Sequence, residues 1–167
     1  MIKLKKIKLP FTDKKLRQIN NDDFLEISGE IFVCRDQVHS LVYSMTKENK
    51  KLPVDFAGST IFYAGPSPTP PGKIIGSIGP TTSARMDSLT PAMISLGVKC
   101  FIGKGQRKPE IMELIKTNNA LYCITFGGYA ALLSSYVVSS EIIAFEELGP
   151  EALLKIEVKN FPVVAWI

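Results

Sequence analysis

From Thr60 to Thr125 short apolar runs give way in turn to segments whose apolar residues recur at helical spacing, and this alternation constrains the fold more than any other feature. Thr60 to Ala64, Ile74 to Ile78, Val98 to Ile102 and Ala120 to Thr125 read as strands. Between them lie a helical stretch broken near Pro91 and a helix beginning at Pro109 with Ile111, Leu114 and Ile115 on one face. Strands separated by helices pair side by side, so the expectation is an α/β fold: a parallel or mixed sheet with flanking helices.

The first third reads as a small β layer, with strands over Ile2 to Leu9, Phe24 to Ile27 and Glu30 to Cys34 and a tight turn at Ser28-Gly29. After it, Val38, Leu41, Val42 and Met45 fall on one helical face, predicting a helix from Asp36 to Lys47 with Asp36 suited to cap its start. Four prolines between Gly65 and Gly72 forbid helix or central strand there and predict an extended loop. Gly127-Gly128 precede a small-residue helix from Tyr129 to about Val138, then a strand from Glu141 to Phe145. Pro162 precedes a last apolar run, Val163 to Ile167, with no polar tail, so this end is expected either to be buried or to continue in a longer chain. With no internal repeat and a length of 167 residues, a single domain over 1–167 is expected.

Hydrophobic residues make up 46% and charged residues 22%, a globular composition. The net charge of +4 is spread along the chain and points to no nucleic acid. The densest basic cluster, Lys3, Lys5, Lys6 and Lys8, alternates largely with Ile2, Leu4, Ile7 and Leu9, as on the wet face of an edge strand. Cys34, Cys100 and Cys123 lie far apart in apolar runs, and His39 stands at no metal-binding spacing from them, so no metal site is expected on this chain. They read as buried free thiols of a reducing, cytoplasmic compartment. No apolar stretch reaches the roughly 18 residues of a membrane helix, and no signal peptide is read at Met1.

Three segments bear chemistry at one topological position, a strand end leading into a helix. Ile78-Gly79-Pro80-Thr81-Thr82-Ser83-Ala84-Arg85-Met86-Asp87 offers backbone amides, hydroxyls and an arginine, the donors a carboxylate or phosphate requires. A purely structural account remains open, with a hydroxyl capping the helix and Arg85 paired to Asp87. Gly103-Lys104-Gly105 places a cation in a glycine-flanked turn but lacks the spacing of a P-loop. Arg35 ends a strand and His39 falls one turn into the next helix, where Arg35 could instead pair with Asp36. Thr82, Gly103, Gly105, Gly127 and Gly128 are either anion-binding or structural.

Taken in order, the motifs RDxxH (Arg35 to His39), LPVDF (Leu52 to Phe56), Gly65-Pro66, IGPTTxxRMD (Ile78 to Asp87), GKG (Gly103 to Gly105), Gly127-Gly128 and ELGPEAxxxxEVxxFP (Glu147 to Pro162) resemble the beta subunit of class I, iron-sulfur fumarate hydratases. They are similar also to the tartrate dehydratase beta subunit and the C-terminal half of single-chain class I fumarases. The resemblance implies a swivelling β/β/α domain and reversible hydration of fumarate to malate. It further implies a 4Fe-4S cluster held by a fumarase-type alpha subunit, with self-association left open. By the same resemblance Arg35, Thr81, Arg85 and Lys104 bind the dicarboxylate substrate, with Thr81 and His39 catalytic. Gln106 and Tyr129 depart from the family pattern, which bears on substrate choice. Tartrate is the alternative substrate, and a stand-alone dicarboxylate-binding module the alternative of another class.

Overall fold

The computed structural model describes residues 4–167. In chain order the elements are β1 (Leu4–Lys8), α1 (Asp13–Leu16), β2 (Phe24–Val33), α2 (Asp36–Lys47), β3 (Thr60–Phe62), α3 (Thr90–Ser95), β4 (Cys100–Gly103), α4 (Pro109–Thr117), β5 (Leu121–Ile124), α5 (Ala130–Ser134), β6 (Val137–Ala144) and β7 (Leu153–Trp166), with 3-10 turns at Ser83–Met86 and Glu146–Glu151. Ile2 and Lys3, placed in the first strand by the sequence reading, lie outside the described residues.

All strands join one mixed sheet in the order β1-β2-β3-β4-β5-β7-β6, with β2 also pairing β7. Neighbours from β1 to β5 run parallel, and β7 is antiparallel to β2, β5 and β6. Because β7 touches both β2 and β5, the strands β2, β3, β4, β5 and β7 close on themselves, and β1 and β6 are left as edges, the first of which its lysines suit.

Period-2 alternation divides the core in two. Ile27, Ile31, Val33, Phe62, Ile102, Cys123, Phe161 and Val163 fill one cluster with Ile156 and Ala165. Ile61, Tyr63, Phe101 and Tyr122 point to the opposite face and pack on Val38 and Val42 of α2, Met93 of α3 and Ile111 and Ile115 of α4. Each fully buried aliphatic or aromatic side chain contributes about 1.5–3 kcal/mol relative to exposure, so the second cluster fixes α2, α3 and α4 against β3, β4 and β5. The result is a single α/β domain whose mixed sheet is flanked by helices.

The structure departs from the sequence reading at several points. Phe24 to Val33 is one strand, and Ser28-Gly29 is a bulge in its pairing with β7, not a turn. Gly29 has φ 131°, and a Cβ there would lie 2.9 Å from Leu9 Cβ, so the bulge needs glycine. Arg35, not Asp36, is the cap residue of α2, and Asp36 sits in its first turn, where a carboxylate favours the helix dipole. Ile74 to Ile78 forms no strand: Ile75 and Ile78 are buried as irregular chain, and Ile78 N donates to Ala130 O at 3.0 Å. Pro91 starts α3 rather than breaking it. The helix after Gly128 spans only Ala130–Ser134, because Val137 to Ala144 is taken into the sheet by β7. No helix among the described residues is long and apolar enough to cross a membrane.

Candidate active site

Parallel strands β2, β3, β4 and β5 deliver their carboxyl ends to one edge of the sheet, the position at which open α/β sheets gather ligands. Cys34 N still donates to Phe62 O at 3.1 Å, so the chain leaves β2 in register and Arg35 is fixed as the first residue beyond it. The Arg35 carbonyl accepts from His39 N at 3.0 Å and from His39 Nδ1 at 2.9 Å. A carbonyl only accepts, so Nδ1 carries the proton and Nε2 is a lone pair. Nε2 is buried without a hydrogen-bond partner among the described residues. The His39 ring lies edge-on to Tyr63, with centroids 5.4 Å apart. Burial pushes its pKa down to about 4, the Arg35 carbonyl only partly offsetting this, so His39 is neutral near pH 7. Its fractional exposure is 0%.

Pro80 to Ser83 is fastened across the ends of β3 and β4. Ala64 bridges Pro80, and Thr81 N donates to Tyr63 O at 2.7 Å. Thr82 bridges Lys104, and Ser83 N donates to Lys104 O at 3.0 Å. Gly103 permits this approach, since a Cβ there would lie 2.0 Å from Ser83 Oγ and 2.9 Å from Tyr63 Cδ2. Thr81 is half-buried, while Thr82, Lys104 and Gly105 are exposed. Lys104 Cδ lies 3.7 Å from where a Cβ of Gly127 would stand, which brings the Gly127-Gly128 turn after β5 beside the lysine stem.

The cations are paired differently from either sequence alternative. Arg35 Nε donates to Glu151 Oε1 at 2.9 Å, and Gln37 Nε2 to Glu151 Oε2 at 3.1 Å. Arg85 Nη2 donates to Asp36 Oδ2 at 2.6 Å. Asp87 faces inward to Arg107 instead. The Arg35 hydrogen bond holds the Glu151 carboxyl below its ordinary range against the effect of burial, with Gln37 and the charges of Arg35 and Arg85 adding to it. Among the described residues Arg35 pairs with Glu151 through Nε, a geometry that does not engage its two terminal nitrogens. Arg85 therefore pairs with the residue next to Arg35, and Lys104 is strapped to the segment that carries Arg85.

Five residues of this region escape the sequence reading: Glu151, Tyr63, Tyr122, Thr90 and Arg107. Glu151 lies 116 positions from Arg35, so no local spacing marks the pair. Arg107 precedes a helix-starting proline and looks like a surface cation, whereas its side chain is fully buried. The apolar runs holding Tyr63 and Tyr122 predict burial but not their hydroxyl partners.

The cysteines do not fit an iron-sulfur cluster. Cys34 packs in the helix-side cluster, while Cys100 and Cys123 belong to the other cluster of the core. Burial pushes the Cys34 and Cys100 thiols well up, the opposite of what thiolate ligation needs. Among the described residues no group of three His, Cys, Asp or Glu side chains gathers to hold a metal.

The fold and this site define an α/β domain that presents cations and hydroxyls at the carboxyl ends of its parallel strands. Comparison with known proteins gives the family. A family model described as Fumarase C-terminus matches residues 1–167. The chain is 35% identical over 163 residues to the L(+)-tartrate dehydratase subunit beta of Shigella sonnei, covering 95% of this chain and 80% of that protein. It is 37% identical over 140 residues to the anaerobic class I fumarate hydratase of Escherichia coli, covering 83% of this chain and 26% of that one. Against fumarate hydratase 2 of Leishmania major it is 38% identical over 138 residues, covering 81% and 24%. The chain belongs to the fumarase C-terminal family. It spans about a quarter of the fumarate hydratases it matches and four fifths of the tartrate dehydratase subunit.

Proposed function

We infer that this chain supplies the dicarboxylate-binding half of a hydro-lyase that adds water to fumarate, completed by a fumarase-type alpha partner. The observation that carries the reading is the convergence of Arg35, Thr81, Arg85 and Lys104 on the carboxyl ends of adjacent parallel strands. In it Arg35 and Arg85 grip the substrate carboxylates through paired N–H donors, and Lys104 adds a point charge. Thr81, held by its amide to Tyr63, directs its hydroxyl toward the reacting carbons and handles a proton there. His39 acts through Arg35, whose carbonyl it fixes, because a ring without exposed surface cannot meet substrate.

Charge supports a shared site. Arg35, Arg85 and Lys104 stand against Glu151 and Asp36, three cations to two carboxylates, leaving one net positive charge. That falls short of the two negative charges of a dicarboxylate, whose desolvation must be offset in full. The partner therefore supplies the remainder. The 4Fe-4S cluster implied by the resemblance finds no ligand set among the described residues, and we assign it to that partner, as we assign the assembly to the cytoplasm.

Tartrate is the second reading, favoured by the Shigella sonnei relative, of which this chain covers 80%. Calorimetric titration separates these from a stand-alone binding module. The hydro-lyase reading expects weak binding of fumarate or L(+)-tartrate to the isolated chain and stronger binding after assembly with the partner. Equal, tight binding by the isolated chain would favour the module.

A further inference from the structure

We propose that Tyr122 is a positioning residue that sets the distance between the two ligand-bearing turns of the site, with Arg107 anchoring both from beneath. The proposal rests on the hydro-lyase reading for its catalytic consequence and on geometry for the rest.

Tyr122 belongs to β5 and is 1% exposed. Its hydroxyl lies 2.7 Å from Gly105 O and 2.9 Å from Ser83 Oγ. The Gly105 carbonyl can only accept, so Tyr122 O–H donates to it and Ser83 O–H donates to Tyr122 Oη. Burial keeps this phenol protonated by raising its pKa, so the donor is present at all ordinary pH values. One hydroxyl thus joins the residue after Lys104 to the residue two positions before Arg85.

Two positions after Arg85, Asp87 is held in the same way. Arg107 Nε donates to Asp87 Oδ1 at 2.7 Å, and Lys108 N donates to Asp87 Oδ2 at 3.0 Å. The other ends of the guanidinium donate to Tyr63 Oη at 3.1 Å and Thr90 Oγ1 at 2.5 Å. Its carbon lies 5.4 Å from the Tyr63 ring centroid, 5.7 Å from Phe101 and 5.4 Å from Tyr122. Arg107 itself follows Lys104 by three residues, so the guanidinium ties the exit of the lysine turn to the exit of the arginine turn. Arg85 is consequently suspended between two buried anchors, Ser83 and Asp87, each fastened to the strand end that carries Lys104.

A buried ion pair is weak evidence for stability, since well-packed apolar residues often serve as well. What the arrangement fixes is geometry: a hydroxyl and a planar fork hold two exposed cations at one separation, as orienting a carboxylate requires. Tyr63 extends the frame to the third cation, because its backbone holds Thr81, its hydroxyl meets Arg107 and its ring backs His39 beneath Arg35.

The test is Tyr122→Phe, which keeps the ring and removes the hydroxyl. In the enzyme assembled with its alpha partner, kcat/KM for fumarate or L(+)-tartrate should fall about tenfold, the loss of one buried hydrogen bond. The melting temperature should fall by only about 2–4 °C. Because Tyr122 acts through the Lys104 turn, its effect should shrink in a Lys104→Ala background. An unchanged kcat/KM, or effects of the two substitutions that multiply without coupling, would overturn the proposal. A second arm needs no activity: hydrogen exchange on the isolated chain should quicken in Tyr122→Phe at residues 81–87 and 103–107 and stay unchanged in β1 and β2. Uniform change, or none, at those segments would also overturn it. If the wild-type assembly neither hydrates fumarate nor dehydrates L(+)-tartrate, the hydro-lyase reading fails while the exchange arm still decides whether Tyr122 is the lock.

Discussion

Arg85 Nη2 lies 2.6 Å from Asp36 Oδ2, which pairs the cation after the Gly-Pro-Thr-Thr segment with the residue next to Arg35. The two arginines thereby share a neighbour although they are fifty positions apart. The Arg85 side chain is 55% exposed, so the pair itself contributes little stability, about 0–1 kcal/mol. Arg85→Lys should therefore leave folding and assembly nearly intact while kcat/KM of the assembled enzyme falls roughly ten- to hundredfold, because lysine keeps the charge but loses the fork. Steady-state kinetics and a melting curve on the same variant check this, and near-wild-type turnover would remove Arg85 from the site.

Much of the scaffold is legible in the chain. The spacing of Val38, Val42 and Met45 predicts a helix over Asp36–Lys47, and the structure has one with those bounds. The strands after Thr60, Val98 and Ala120 stand within two residues of expectation, since each is bounded by turn residues and buried on both faces. Leu154, Ile156 and Val158 alternate with Lys155, Glu157 and Lys159, a period-2 signal that the sequence reading passes over, and nothing local reveals that this run continues through Pro162 into Trp166. Ile74 to Ile78 shows the reverse failure: apolar residues read as a strand are buried without joining the sheet. For the candidate site, residue types at strand ends direct attention to the carboxyl ends of the parallel strands, where the structure places Arg35 and Lys104, yet the pairing of Arg35 with Glu151 and of Asp87 with Arg107 is set by tertiary approach.

Gly103 tests the fastening of the Thr81 segment. A methyl there meets Ser83 Oγ and Tyr63 Cδ2 inside contact distance, and neither atom has freedom to retreat, because Ser83 is bonded to Tyr122 and Tyr63 to Arg107. Gly103→Ala should cost about 1–3 kcal/mol. Urea denaturation of the chain measures it, and an unchanged midpoint would contradict the packing described.

Asp87→Asn asks whether the Arg107 charge depends on its partner. Burial opposes that charge, and Tyr63 and Asp87 more than offset it. An amide in place of the carboxylate removes the counter-charge and turns an NH2 group toward Arg107 Nε or Lys108 N, both of which are donors. Breaking a buried pair in this way costs about 3–5 kcal/mol. Denaturant unfolding should show it, and a loss under about 1 kcal/mol would mean that Thr90 and the surrounding aromatic rings suffice to hold the guanidinium.

The pH dependence of stability should carry the mark of His39. Its pKa is depressed from 6.5 to about 4 by burial, so below pH 6.5 the unfolded chain takes up a proton that the folded chain refuses. The stability this group contributes is complete above pH 6.5 and is lost as pH falls toward about 4. Glu151, also depressed, adds a loss of the same sign in the acid range. His39→Asn keeps a donor for the Arg35 carbonyl and should flatten the profile between pH 6.5 and 4. An unaltered slope would show that other groups produce it.

The most direct measurement is an anaerobic assay of fumarate hydration and, in parallel, of L(+)-tartrate dehydration by the chain alone and after co-expression with its fumarase-type alpha partner. The account predicts no turnover by the chain alone and turnover of one of these acids by the assembly, abolished or strongly reduced when Thr81 is replaced by Ala. Turnover by the isolated chain, or an assembly that turns over neither acid, would contradict it.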